Sequence, residues 1–104
     1  MASLHLICRG GLHLRPTRFP EFESGFWDLT EADAARLVGG RIYFHETKNS
    51  PSYFGGDVRT YRVAGPEEEV PGRIVFTILS RADGKSAAWE GASHAMAWSG
   101  GVVE

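Results

Sequence analysis

The sequence is poor in cysteine and has no long apolar run. Cys8 is the only cysteine among 104 residues, so no intramolecular disulfide and no zinc site built on several cysteines can form. A single thiol is typical of a reducing compartment, and we expect a cytoplasmic protein. No stretch approaches the roughly 20 apolar residues that span a bilayer, and the first residues lack the features of a signal peptide. The sequence therefore predicts neither a membrane span nor a secretory leader.

The chain also lacks an excess of either charge. Eleven Lys and Arg stand against 13 Asp and Glu, and the net charge of −2 creates no global field for nucleic acid. The charges are nevertheless uneven, because Arg9, Arg15 and Arg18 precede the first acid, whereas Glu67–Glu69 form an acidic run typical of a solvated turn. This asymmetry either guides a polyanion onto one face or reflects ordinary solvated side chains.

Motifs for catalysis and metal binding are missing as well. There is no G-x-S-x-G elbow, no phosphate-binding P-loop and no H-E-x-x-H helix. Cys8 ends an apolar alternating strand, where a thiol usually serves as inert packing. The histidines are scattered, at positions 5, 13, 45 and 94. The sequence therefore predicts no catalytic residue, no metal site and no cofactor.

Glycine pairs divide the sequence into short segments, which indicates a β-rich domain with tight connections. The length fits one domain over residues 1–104. Residues 9–25 contain two prolines and no periodicity, so they are predicted to form a long loop. An Asp-Gly pair predicts a tight turn at residues 83–84. Strands are predicted over residues 3–8, 41–46, 56–64, 73–79 and 92–99.

One short helix is predicted in "LTEADAARLVGG". Thr30 can cap its first turn with Asp33 three residues later, and Gly39 can end it in the left-handed conformation. Two turns of helix are unstable alone, so the apolar stripe that includes Leu37 must pack on a sheet. The predicted fold class is α+β, mainly β: a small curled sheet or pseudo-barrel with one short capping helix.

Residues 37–58 concentrate the side chains that suit molecular recognition. Tyr43 and His45 alternate with core residues on the outward face of a predicted strand, and a polar turn with Pro51 follows. Rings stack on bases, cations neutralise phosphate, and amide or hydroxyl groups read polar edges. The predicted stacking residues are Trp27, Tyr53 and Trp89. The predicted phosphate contacts are Lys48, Arg59 and Arg62. The predicted polar contacts are His45, Asn49 and Ser50.

The layout resembles the PUA-like superfamily, the small β-barrels that include the EVE, ASCH and YTH domains. The resemblance covers residues 27–79 and consists of a capped helix "TEADAARLVGG" followed by "GRIYFHETK", "GGDVRTYRV" and "GRIVFTIL". It implies a reader of RNA or of modified bases in DNA. It also implies a cleft near the helix with Trp27 as a stacking wall and His45 and Lys48 as a polar rim.

Three functions follow as hypotheses. The first is a non-enzymatic module that binds RNA, modified DNA or a nucleotide. The second is a small enzyme of the same barrel class, in which His45 with Glu46 or His94 acts on a nucleotide or amide-like substrate. The third is a homodimeric interaction subunit that uses "WEGASHAMAWS", because tryptophan is enriched at the energetic centres of interfaces.

Overall fold

The computed structural model describes most of the chain. The described residues are 2–8, 11, 13–47, 49–89, 102 and 103. They form a single six-stranded sheet and one α-helix, so the prediction of an α+β, mainly β fold is confirmed. The strand predicted over residues 92–99 lies outside the described residues. Along the chain the elements are β1 (Ser3–Ile7), β2 (Leu14–Arg18), β3 (Glu21–Trp27), α1 (Glu31–Leu37), β4 (Arg41–His45), β5 (Phe54–Val63), β6 (Ile74–Ser80) and a 3₁₀ turn (Ala82–Gly84).

The sheet is open, with strand order β1-β4-β5-β6-β3-β2. Only the β1–β4 pair is parallel, and the other pairs are antiparallel. Among the described residues β1 and β2 are the two edges, so the sheet does not close; of the two predicted forms, a curled sheet or a pseudo-barrel, the structure has an open sheet. An isolated bridge between Ser3 and Val103 is the additional pairing at the β1 edge.

The core lies on one face of the sheet, which we call the inner face. Leu4 and Leu6 of β1 pair with Ile42 and Phe44 of β4, and all four side chains are fully or almost fully buried. Residues at alternate positions of β6 continue the same cluster, which also contains Cys8. Apolar alternation predicted β1 and β4 correctly, and an apolar run on both faces predicted β6 correctly.

The helix packs against this inner face. Thr30 accepts a hydrogen bond from the Asp33 N–H at 3.1 Å, and Gly39 follows the helix at φ +85°, as predicted. Ala34 and Leu37 are fully buried in the core cluster. The Gly39 N–H then donates to the Val58 carbonyl of β5 at 2.9 Å, which joins the end of the helix to the middle of the sheet.

The prediction of a long loop over residues 9–25 is wrong. Strands β2 and β3 form an antiparallel hairpin there. Pro16 is compatible with a strand because β2 is a sheet edge, where a missing N–H costs no ladder hydrogen bond. In β3 the acidic Glu21 and Glu23 alternate with Phe22 and the buried Ser24. This alternation is typical of a strand, but the loop was predicted because residues 9–25 contain two prolines.

Candidate functional site

The face of the sheet opposite the core, which we call the outer face, has two parts. Cross-strand pairing puts Arg41, Asp57, Leu79 and Glu21 in one row across β4, β5, β6 and β3. On one side of this face, residues 81–89 fold back over β1, β4 and the start of β5, and we call this the covered half. The rest, formed by β2, β3, β6 and the end of β5, is the open half.

Residues 81–89 are attached to the sheet by close backbone approach. Gly84 sits against Gly55: a Cβ on Gly84 would collide with the Gly55 backbone, and a Cβ on Gly55 would collide with the Ile42 carbonyl and meet the Gly84 carbonyl at 3.0 Å. The Arg81 N–H donates to the Gly55 carbonyl at 3.1 Å. The predicted tight turn at Asp83–Gly84 is instead the 3₁₀ turn Ala82–Gly84. Glycine is needed at both positions because no side chain fits between the two backbones.

Ser52 is a second attachment point. Its hydroxyl donates to the Gly84 carbonyl at 2.7 Å and accepts from the Ala87 N–H at 2.9 Å. Its N–H donates to the Ala87 carbonyl at 2.8 Å, and its carbonyl accepts from the Ser86 N–H at 2.7 Å. Ser52 is only 4% exposed. Four hydrogen bonds from one buried serine therefore fix the path of the chain toward Trp89.

Ion pairs supply the third attachment. Arg41 contacts Asp83 at 2.5 Å, and Arg81 contacts Asp57 at 2.5 Å. Arg41 also lies 3.4 Å from Asp57 and 5.7 Å from the centre of the Tyr43 ring. The hydrogen bond from Arg41 lowers the pKa of Asp83. Residues 81–89 thus form ion pairs with both β4 and β5.

A buried histidine pair lies on the covered half. Nδ1 of His5 is 2.7 Å from Nε2 of His45, and both rings are fully buried. Nδ1 of His45 is 2.9 Å from the Ser50 carbonyl, which can only accept. With neutral rings, His45 therefore donates to Ser50, and His5 donates to His45. The pair joins β1, β4 and the following loop through one directional chain of hydrogen bonds.

Aromatic rings enclose this pair. Tyr43 stacks on His5 with ring centres 4.6 Å apart, and Trp89 lies 5.1 Å from His45 and 5.9 Å from His5. Trp89 itself is partly exposed. His45 lies on the outer face, where it was expected, but it is buried because Trp89 and its segment cover it. Tyr43 and Trp89 are the partly exposed rings at this place.

The loop after β4 is held in shape by its own hydrogen bonds. The hydroxyls of Thr47 and Ser50 are 2.9 Å apart, and each accepts a hydrogen bond from the other residue's N–H, at 3.1 and 3.2 Å. The Ser50 hydroxyl also donates to the Thr47 carbonyl at 3.1 Å. Asn49 is exposed between them. Of the two predicted edge-reading groups here, Asn49 is accessible and the Ser50 hydroxyl is occupied within the loop.

Of the predicted binding residues, His45 contacts Trp89, and Ser50 and Asn49 belong to the loop that His45 contacts. Lys48 lies outside the described residues. Tyr53 follows the loop, packs against the core cluster and donates its hydroxyl to the Cys8 carbonyl. Burial raises the pKa of Tyr53, and it also raises the pKa of the Cys8 thiol.

The other three predicted residues lie elsewhere. Trp27 stacks on Phe44 with ring centres 6.3 Å apart and donates its indole N–H to Ser24 at 2.9 Å, on the inner face. The sheet separates it from Trp89, so these two rings do not line one pocket. Arg59 is exposed near a bulge in β5, and Arg62 belongs to the open half.

The open half contains a cleft of about 60 Å³. Its lining residues are His13, Arg15, Glu23, Gly25, Phe26, Arg62 and Val75. Arg15 contacts Glu23 at 3.0 Å, and Arg62 lies 3.7 Å from the same carboxylate oxygen. Glu68 bonds Arg62 at 2.6 Å, so the expectation that the run Glu67–Glu69 is a solvated turn is wrong for this residue.

Several residues of these sites were not singled out from the sequence. Ser52 carried no signal, because its importance depends on residues more than 30 positions away. His5 had a partial signal, since it alternates with the core residues of β1, but its partner His45 is 40 positions away. Among the described residues no group of three or more histidine, cysteine or acidic side chains is arranged to hold a metal ion.

The comparisons with known proteins do not assign the chain to a family. No protein-family model matches the chain, and no curated protein and no solved structure matches it. The resemblance to PUA-like domains therefore stays a prediction from the layout of the sequence. Within the described residues, no helix has the length and apolar character required to cross a membrane.

Proposed function

We propose that this protein is a non-enzymatic cytoplasmic module that binds an unstacked base of RNA, of modified DNA or of a free nucleotide. The binding surface consists of Trp89 and the loop over residues 46–50. The base stacks on the accessible side of Trp89, Asn49 reads a polar edge, and Lys48 meets phosphate. Stacking on an aromatic ring contributes about 1–3 kcal/mol per base.

The observation that carries this proposal is the fixed position of a partly exposed tryptophan. Trp89 rests on His45, and Ser52 and Gly84 fix the chain that leads to it. An aromatic ring already held in place loses little conformational freedom when a ligand stacks on it. The polar loop beside it is likewise fixed by its own hydrogen bonds.

The enzyme hypothesis has less support. His45 is fully buried, and both of its ring nitrogens lie within hydrogen-bond distance of partners in the protein. Glu46 is exposed and follows His45 directly, so the two side chains point to opposite sides of the strand end. The residues named for a homodimer, and His94, fall largely outside the described part of the chain.

The test uses the fluorescence of Trp89. A W27F/W98F variant leaves Trp89 as the single tryptophan, and it is titrated with single-stranded RNA, single-stranded DNA and AMP at two salt concentrations. We expect saturable quenching by at least one of these ligands. A strong salt dependence indicates a polynucleotide, and a weak one indicates a free nucleotide.

The matched variant is Trp89→Leu, which keeps an apolar side chain but removes the aromatic face. We expect the affinity of this variant for the ligand that quenches Trp89 to fall about tenfold or more, because one stacking interaction is lost. Calorimetry measures this affinity. Trp27→Phe is the control, since Trp27 lies on the inner face, and its affinity should equal that of the wild type. Equal affinities for Trp89→Leu and wild type would contradict the proposal.

A further inference from the structure

The acidic run Glu67–Glu69 contacts the end of β5 and the residue that precedes β2. Glu69 contacts His13 at 2.9 Å, and Glu68 contacts Arg62 at 2.6 Å. Glu68 also accepts a hydrogen bond from the Gly65 N–H at 2.6 Å. The acidic run therefore contacts two of the basic side chains that line the cleft of the open half, His13 and Arg62.

The cleft has the composition of an anion site. Two guanidinium groups, of Arg15 and Arg62, and the imidazole of His13 line it. Its apolar wall includes Val75 and Phe26, whose ring lies edge-on to His13 with centres 5.0 Å apart. Arginine is the side chain best suited to bind planar or tetrahedral oxyanions through two parallel hydrogen bonds.

The protein's own carboxylates form ion pairs with these cations. Glu23 belongs to β3 and sits between Arg15 and Arg62, so it is a fixed part of the sheet. Glu68 and Glu69 come from the connection between β5 and β6, and the Glu69 side chain is 66% exposed. With this connection in place, three carboxylates face two guanidinium groups and one imidazole. Without Glu68 and Glu69, two guanidinium groups and an imidazole face one carboxylate.

We propose that this cleft is a binding site for a small ligand with two linked oxyanion groups, a diphosphate or a dicarboxylate, and that Glu68 and Glu69 occupy the places of those groups. Ligand binding displaces the two carboxylates, so residues 65–70 act as an autoinhibitory segment. The site is separate from the Trp89 surface, and it does not depend on the function proposed there.

The experiment is calorimetric titration with pyrophosphate and, separately, with succinate at low ionic strength. The test variant is E68Q/E69Q, which keeps the shape of both side chains and removes their charges. We expect it to bind at least one of these probes about tenfold more tightly than the wild type, as one or two freed charge-assisted hydrogen bonds predict. A preference for pyrophosphate identifies a phosphate ligand, and a preference for succinate identifies a dicarboxylate.

The control variant is E67Q/D28N, which changes the net charge by the same amount. Glu67 and Asp28 are exposed, and among the described ion pairs neither contacts a cation that lines the cleft, since Asp28 contacts Arg73. Its affinity should stay close to that of the wild type, whereas adding Arg62→Gln to E68Q/E69Q should abolish the gain. The proposal is overturned if neither probe binds E68Q/E69Q, if the control gains as much affinity, or if Arg62→Gln leaves the gain intact. Circular dichroism verifies that each variant is folded.

Discussion

The two halves of the outer face belong to one sheet, but different interactions organise them. On the covered half, backbone hydrogen bonds, a Gly55–Gly84 contact and buried rings attach residues 81–89. On the open half, exposed side chains pair across strands and with one connecting segment. Buried contacts of the first kind each contribute about 1 kcal/mol or more, whereas exposed ion pairs contribute about 0–1 kcal/mol. The covered half is therefore a fixed support for Trp89, and the open half can exchange its internal carboxylates for a ligand.

The largest expected effect comes from Gly84→Ala. Its Cβ would collide with the Gly55 backbone, so residues 81–89 must move off the sheet. We expect the free energy of unfolding to fall by about 1–3 kcal/mol, as for other overpacked sites. Urea titration measures the loss, and Ala82→Ser in the same turn is the control, because Ala82 is exposed. Wild-type stability of Gly84→Ala would show that the segment does not rest on Gly55.

Ser52→Ala should have the next largest effect. It removes the hydroxyl that links Gly84 and Ala87 and leaves both backbone groups without that partner. We expect a loss of about 1–3 kcal/mol in the free energy of unfolding. We also expect a red shift of the Trp89 emission in the W27F/W98F background. Ser50→Ala is the control, since its hydroxyl bonds only within the loop, and it should leave the Trp89 emission unchanged. Unchanged emission in Ser52→Ala would show that Ser52 does not hold Trp89 in position.

The effect of pH on stability should be smaller than the effects of these two substitutions, and it involves one carboxylate on each half. Hydrogen bonding to Arg41 lowers the pKa of Asp83, and hydrogen bonding to Arg62 lowers the pKa of Glu68. A carboxyl group whose pKa is lowered by folding stabilises the protein above its unfolded pKa of about 4, and this stabilisation is lost as pH falls through the folded value. Asp83→Asn and Glu68→Gln should each weaken the loss of stability between about pH 5 and pH 2.

Only one of these two variants should affect the covered half. Asp83→Asn removes an ion pair of residues 81–89 and should shift the Trp89 emission at neutral pH. Glu68→Gln should leave that emission unchanged, because Glu68 contacts only the open half. Urea titrations at a series of pH values measure both variants, and curves parallel to that of the wild type would contradict the assigned ion pairs.

The smallest expected effect is that of Arg15→Gln. Arg15 is 69% exposed and pairs with Glu23 across the β2–β3 hairpin. We expect the free energy of unfolding to change by about 0.5 kcal/mol or less. A loss as large as that of Gly84→Ala would show that the open half is as firmly built as the covered half.

Local patterns in the sequence were sufficient for most of the fold. The capping pair Thr30 and Asp33, the apolar alternation of β4 and the continuous apolar run of β6 depend on residues close together in the chain. These elements were predicted correctly. The hairpin of β2 and β3 was missed because Pro16 is acceptable only at an edge strand, and position in the sheet is not a local property.

The candidate site was predictable only in part. Residues 45–50 were identified from their composition, and Trp89 was named, but nothing local indicates that the chain returns across the outer face to bring Trp89 onto His45. Nor does the sequence show that Trp27 stacks on Phe44 on the inner face, whereas Trp89 lies on the outer face. The acidic run and the basic N-terminal segment lie far apart in the sequence, and the folding of the β5–β6 connection brings Glu69 within 2.9 Å of His13.

The most direct test of the two-site account is one nuclear magnetic resonance experiment on the labelled wild-type protein, titrated first with AMP and then with pyrophosphate. We expect AMP to shift the Trp89 indole N–H and the amides of residues 46–50. We expect pyrophosphate to shift the side-chain N–H signals of Arg15 and Arg62 instead, and the two sets should not overlap. Shifts of one shared set by both ligands, or no shift of the Trp89 indole at saturating AMP, would contradict it.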